Sequence, residues 1–377
     1  MNAEDTPLAA DPGSPAFIAA RLARWPRSGP QGPVSLELYP TLSCNLDCLF
    51  CDTTDRKRPP VGELSDQRLL DLIDEAAEIG VQRVFVLGGG EPLARRDLAP
   101  ALLRAVKARG MQGILTTNGT LLGPALARQL VDDGWDEVHL SLDAADPETH
   151  DRLRGRPGAF RQTVRNGCRL GAWARAAGGR TRLALHCVIT NQNLHSLCGL
   201  IDLAVALGAH RVDFDALIAY TDEQRALSLR DDQRAALPAL AAEALAYADA
   251  AGVVTTLHHL CRPGAADRGQ TAVPIPVGAG FAGAPCLKAW HHLVVQADGR
   301  LSPCCVLAGA GGSVAEQPLW QAWTGDPFLE GARRAMLAQA PLPRCRECSW
   351  NILGHEAAIR EAYTSLGAPW ASTSTLS

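Results

Sequence analysis

Between residues 34 and 217, short apolar or β-branched runs alternate with stretches of helical period, each pair joined by a polar turn. The runs at 34–39, 83–87, 113–116, 137–142, 182–189 and 211–216 predict six short buried strands. The stretches at 65–79, 97–109, 123–133, 159–173 and 195–207 predict the intervening helices. Strict alternation implies right-handed crossovers and a parallel sheet, and six units fall short of the eight that close a full barrel. The expected fold is α/β, a partial (β/α)6 barrel of the TIM type, although a doubly wound sheet leaves the same alternation. A small domain should follow at the C-terminal end.

Past residue 219 the pattern changes. A long helix is expected at 231–251, restarting at Pro238, and then a Gly/Pro-rich stretch at 262–285 marks a boundary. A hairpin is expected from 292–296 and 300–303, turning at Asp298-Gly299, with a short helix at 319–323 and a loose tail from Tyr363. The expected divisions are an N-terminal extension 1–33, the barrel 34–218, a linker 219–285, a second domain 286–356 and a tail 357–377. The Ala-rich stretch 235–254 is interrupted by Glu243 and Asp249, so no membrane partner is expected.

Charge narrows the partners. The 377 residues carry 36 Lys and Arg against 40 Asp and Glu, a net −4, which leaves no broad basic surface for nucleic acid. The first 15 residues lack the basic and apolar regions of a secretory signal, so a cytoplasmic location is expected. Twelve cysteines there need a use other than disulfides.

Three of them, Cys44, Cys48 and Cys51, fall within eight residues just after the first strand, at the end where barrel enzymes build active sites. A closed zinc site and a fully ligated iron-sulfur cluster both take four protein donors, so three local thiols imply a remote fourth ligand or an open coordination position. The spacing Cys-x3-Cys-x2-Cys, with Phe50 before the last thiol, resembles the signature of the radical S-adenosylmethionine (radical SAM) enzymes. The resemblance implies that the three thiolates hold three irons of a 4Fe-4S cluster. The fourth iron is chelated by S-adenosylmethionine, which is cleaved to a 5′-deoxyadenosyl radical.

Further elements follow in the family's order. Gly89-Gly90-Glu91-Pro92 after the second strand resembles its GGEP loop, implying that Gly89, Gly90 and Glu91 meet the methionine amino group. Asn118 lies in a TNG-like turn, Ser141 in an SLD-like element that ends the fourth strand, and Arg154 in an RG-like element. The resemblance assigns a cofactor hydroxyl donor to Ser141, the partner of the cofactor carboxylate to Arg154 and adenine packing to Phe50. Taken singly, these residues read equally well as turn, cap, surface or core positions.

A second group, Cys286, Cys304, Cys345 and Cys348, can saturate a metal site. Gly299 and four residues precede Cys304, and a Cys-x2-Cys pair closes the group, which resembles the SPASM/twitch extension of the same family. It implies one auxiliary 4Fe-4S cluster; a structural zinc site is the alternative, because thiolates alone do not separate zinc from iron. Cys305 reads as an alternative ligand, a hydrogen donor or a buried side chain, and His291 and His292 as core or surface histidines or a base. Cys168, Cys198 and Cys261 read as buried small side chains. Cys187, inside the fifth strand, is a candidate hydrogen-atom donor if it faces the barrel interior.

About 33 residues precede the first strand, too few for the leader-binding domain that peptide-modifying members often carry. The expectation is therefore an oxidoreductase acting on a small biosynthetic intermediate, a polyol, sugar or aminoglycoside-like molecule. Its auxiliary cluster would accept an electron, and a flavodoxin or ferredoxin-type protein would be the donor. Peptide or protein modification is the alternative enzyme reading, and a zinc-binding structural or regulatory protein the alternative from another class.

Overall fold

A computed structural model describes residues 11–51, 62–219, 221–261, 286–307, 311–348 and 350–367. The boundary stretch at 262–285 lies outside the described residues. The described chain opens with α1 (Pro15–Leu22) and α2 (Trp25–Ser28), then alternates β1 (Ser35–Leu38), α3 (Asp66–Glu78), β2 (Arg83–Val86), α4 (Leu98–Ala108), β3 (Gln112–Thr117) and α5 (Pro124–Asp132). It continues through β4 (Glu137–Ser141), α6 (Pro147–Leu153), α7 (Ala159–Ala176), β5 (Arg182–Ile189), α8 (Leu197–Leu207) and β6 (Arg211–Ala216). Then come α9 (Asp222–Arg225), α10 (Asp231–Ala251), β7 (Val254–Thr255), α11 (Lys288–His291), β8 (His292–Val295), β9 (Leu301–Ser302), α12 (Leu319–Gly325), α13 (Pro327–Leu337) and α14 (Trp350–Ser365).

The strands form one sheet in the order β7-β6-β5-β4-β3-β2-β1-β8-β9, parallel throughout except for the β8–β9 hairpin. From β1 to β7 every strand lies beside its sequence neighbour, so each crossover steps in the same direction. A doubly wound sheet would reverse its order, and this one does not. The result is an incomplete barrel with helices on one face.

Residue parity makes the two faces chemically different. Leu36 and Leu38, Val84 and Val86, Val138 and Leu140, Leu183 and Leu185, and Val212 and Phe214 are buried in the apolar core with Leu69, Leu72, Leu102, Leu103 and Leu200 of the helices. Each such side chain contributes roughly 1.5–3 kcal/mol by leaving water. The alternate positions, which face the concave side, are largely polar, with Glu37, Arg83, Glu137, His139, His186, Asp213 and Asp215 among them. At the lower edge Glu137 accepts from Arg182 at 2.8 Å and Arg211 at 2.7 Å and pairs with His139 at 2.7 Å. Burial alone would raise its carboxyl, but these partners outweigh it and hold the group at about 2.

Four expectations are corrected. Cys187 does not face the barrel interior: it shares the parity of Leu183, Leu185 and Ile189 and is buried in the helix-side core. Its Sγ donates to the Asp143 carbonyl at 3.7 Å and accepts from Asn193 Nδ2 at 3.7 Å, so it is no hydrogen donor to a substrate. Cys168 is exposed, not buried. The helix at 231–251 does not restart at Pro238; Leu237, Ala241, Ala244 and Ala248 keep one face buried, and packing on α8 holds the helix through the proline. The chain from Tyr363 is not loose at its start, because α14 runs to Ser365 and buries Tyr363 against the core.

The C-terminal segment is built into the sheet. β8 pairs in parallel with β1, Ser35 opposite His292 and Leu38 opposite Val295, and the expected hairpin then turns through Gly299 at φ +83°. Helix α14 returns to pack on α1. No described helix is long and apolar enough to cross a membrane.

Candidate active site

The loop after β1 is seated by backbone contacts on two sides. Gly90 N–H donates to the Thr41 carbonyl and Glu91 N–H to the Ser43 carbonyl, both at 2.9 Å. A Cβ on Gly90 would lie 2.2 Å from the Ser43 oxygen, so only glycine lets the two loops touch. On the other side Asp47 N–H donates to Arg154 O at 3.2 Å and Leu49 N–H to Leu153 O at 2.9 Å. Between these supports Cys44, Phe50 and Cys51 pack on the buried group Leu46, Cys48 and Ala159.

The expected cofactor-contact residues converge on the same loop. The Glu91 carboxylate accepts from Thr117 Oγ1 at 2.6 Å, Asn118 N–H at 2.8 Å and Leu93 N–H at 3.1 Å. It thus ties the GGEP loop to the TNG turn; burial pushes its carboxyl up, against those donors. Asn118 Nδ2 donates to Asn45 Oδ1 at 3.0 Å, and Asn45 Nδ2 to Thr120 Oγ1 at 2.8 Å, so an asparagine inside the cysteine motif fixes the loop. Arg154 is buried; its Nε donates to Asp143 Oδ2 at 2.5 Å, its Nη1 to Cys48 Sγ at 3.7 Å, and its guanidinium lies 5.2 Å from the Phe50 ring centre. Asp143 also accepts from Val188 N–H at 3.0 Å. Ser141 ends β4 opposite His186 of β5.

Whether these residues suit an iron-sulfur cluster can be judged from the sulfur environments. Leu46 N–H donates to Cys44 Sγ at 3.4 Å and Arg154 reaches Cys48, so donors and a cation already surround the sulfurs as they do around cluster thiolates. Burial pushes the Cys48 thiol up to about 11 despite Arg154, with Cys44 and Cys51 adding to the rise. A free thiol placed as Cys48 is stays protonated at neutral pH, and metal ligation would release the proton. Among the described residues no three His, Cys, Asp or Glu side chains meet at the spacing of one ion's shell. A cluster asks instead for one thiolate per iron, and the donor set fits it.

The second cysteine group is drawn from the chain before α11, after β9 and before α14. Cys304 lies within electrostatic reach of Cys286, Cys305, Cys345 and Cys348, and burial raises all five thiols, Cys348 to about 11 and Cys305 to about 12. Glu356 of α14 closes the group, accepting from Leu287 N–H at 2.7 Å and pairing with His291 Nε2 at 3.0 Å. His292 bridges Ser35 Oγ at 3.0 Å and Glu37 Oε2 at 3.2 Å. Burial and Lys288 hold its imidazole at about 4, so it is neutral. Both histidines are sealed in the core.

A partial barrel whose first βα loop carries three thiols, followed by a thiol-rich module on the same sheet, defines an iron-sulfur enzyme of the radical SAM kind. The chain belongs to the radical SAM superfamily: that family's model matches residues 38–204, and an iron-sulfur cluster-binding domain model, SPASM, matches 286–349. Its cofactors are S-adenosylmethionine, the iron-sulfur cluster that binds it and an auxiliary iron-sulfur cluster. The AdoMet-dependent heme synthase of Methanosarcina barkeri is 29% identical over 290 residues, 75% of this chain and 80% of that protein. The PqqA peptide cyclase of Granulibacter bethesdensis is 28% identical over 333 residues, 85% of this chain and 82% of that protein. The crystal structure of Streptococcus suis SuiB bound to S-adenosylmethionine superposes with a TM-score of 0.64 at 19% identity, over 88% of this chain and 76% of that one, and shares the fold. These relatives correct the expectation of a polyol, sugar or aminoglycoside-like substrate: those matched along most of the chain are named for heme and for a peptide.

Sequence reasoning gave no role to Asn45, Asp143, His186 or Asp215. Asn45 and Asp143 stood inside motifs already quoted, and His186 and Asp215 share the polar parity of β5 and β6.

Proposed function

We propose that this chain is a peptide-modifying radical SAM oxidoreductase, on the observation that it aligns with a peptide cyclase over more than four fifths of both chains. In this reading Cys44, Cys48 and Cys51 hold the first cluster, and Cys286, Cys304, Cys345 and Cys348 the auxiliary one. Bound S-adenosylmethionine supplies a 5′-deoxyadenosyl radical that removes a hydrogen atom from an unactivated carbon. The residues of the chain do the rest. Arg154 presents a guanidinium beside Cys48 and meets the cofactor carboxylate, Gly89, Gly90 and Glu91 shape the loop around the amino group, Asn118 braces the cluster loop, Ser141 offers a hydroxyl, and Phe50 covers the adenine side.

The test is anaerobic incubation of the reconstituted enzyme, S-adenosylmethionine and dithionite with the short peptides translated from the reading frames adjacent to its gene. A mass change in one of the peptides with matching 5′-deoxyadenosine is expected. Untouched peptides together with conversion of a porphyrin precursor would replace this reading by the heme one, which the Methanosarcina relative favours. In the same assay Cys44→Ala should abolish cofactor cleavage, whereas Cys348→Ala should keep some cleavage and lose product. Equal loss of both activities in both variants would remove the division of labour between the two thiol groups.

A further inference from the structure

Besides the His139–Glu137 pair at the lower edge, whose side chains keep 15% and 5% of their surface, three imidazole–carboxylate pairs are built on or beside this sheet, and they differ in access. In the His291–Glu356 and His292–Glu37 pairs no side chain keeps more than 10% of its surface. In the third, His186 Nε2 meets Asp215 Oδ2 at 2.7 Å, and the two side chains keep 27% and 34%. This pair stands on the concave face: Leu185, Cys187 and Phe214, at the alternate positions, are buried on the helix side. It lies in the upper half of the strands, where barrel enzymes do their chemistry. With Nε2 turned to the carboxylate, Nδ1 of His186 has no partner among the described residues.

A short run of contacts sets the pair beside the first thiol loop. His186 is opposite Ser141 and two residues before Val188, whose N–H donates to Asp143; Asp143 holds Arg154, and Arg154 touches Cys48. From the β6 side, Gln224 Nε2 donates to the Cys51 carbonyl at 2.9 Å. Burial pulls the imidazole down in pKa, but Asp215, with Asp213 and Asp143 behind it, moves it net upward. Asp213 is itself paired with Arg211 at 3.0 Å and Asp143 with Arg154, which leaves Asp215 as the contact carboxylate.

We propose that His186, oriented by Asp215, is the proton acceptor of the reaction, taking a proton from an O–H, S–H or N–H of the peptide next to the carbon that loses its hydrogen atom. The balance is that of a two-electron oxidation. One hydrogen atom leaves carbon for the 5′-deoxyadenosyl radical, and one proton leaves the heteroatom for Nδ1 of His186. One electron passes to an oxidised iron-sulfur centre, and a new bond forms between carbon and heteroatom. The substrate class, a peptide, rests on the reading above; the pair itself does not.

Two measurements separate these. A histidine carbon-13 NMR titration of the full holoenzyme, clusters oxidised, should find His186 above the ordinary imidazole range and lower in Asp215→Asn. The same titration in both proteins overturns the pair, whatever the substrate. In turnover of the adjacent-gene peptide, His186→Gln should lower the ratio of product to 5′-deoxyadenosine by roughly 100-fold and remove the acid limb of its pH profile. An unchanged ratio and profile overturn the assignment. If the wild-type enzyme leaves the peptide untouched, the peptide reading fails and the titration alone decides the pair.

Discussion

Arg154 and Asp143 share one buried ion pair, and its neighbours explain why the charge is tolerated there. Asp143 has no exposed surface; it satisfies the guanidinium on one oxygen and the Val188 N–H on the other. The second arm of Arg154 reaches Cys48, so the cation stands between a carboxylate and a cysteine sulfur. Asp143→Asn would leave the guanidinium buried beside a protonated thiol with no counter-charge. A loss of about 3 kcal/mol in unfolding free energy is expected, read from denaturant midpoints, along with reduced iron in the first cluster. Full stability with normal iron content would show that Cys48 and solvent suffice as partners. The sequence names Asp143 only as the third letter of a short motif, because an ion pair between positions 143 and 154 is decided by the return of the chain through α6.

The cluster loop depends on its contact with the turn between α6 and α7. Gly155 has φ +64°, and a Cβ there would sit 2.1 Å from the Asp47 carbonyl oxygen. Gly155→Ala adds about 1–2 kcal/mol of backbone strain and pushes the turn off the loop. Iron in the first cluster should fall while the auxiliary cluster loads normally, a difference visible in reconstitution of Cys348→Ala and Gly155→Ala side by side. An unaltered first cluster would mean that the loop is held by the GGEP side alone. Much at this scale was readable beforehand. Six strands and five helices fall within about three residues of their expected limits, since buried parallel strands leave apolar runs and surface helices leave a period. What periodicity does not carry is which parity of a strand faces the helices. For β5 the clue was available: Leu183, Leu185 and Ile189 share the parity of Cys187, whereas His186 shares that of the polar residues.

Across the whole molecule the two thiol groups are joined by one sheet, because β8, which follows Cys286 and α11, pairs with β1, which leads into Cys44. Leu293 and Val295 are fully buried in that pairing. A chain ending at residue 285 would expose the β1 edge and its apolar neighbours, so it should be recovered mainly in the insoluble fraction, and any soluble part should cleave little cofactor. Soluble, cleavage-competent protein from that truncation would show that the barrel stands without β8. No local pattern announces such a pairing, since Ser35 and His292 are distant in sequence and both strands look merely apolar. The packing of α1 on α14 adds a consequence in time. On the ribosome α1 is made before every strand of the sheet, and its partner helix after all of them. That part of the core can therefore close only once α14 has been made, and until then the apolar faces of α1 and β1 stay open to whatever chaperone attends the nascent chain.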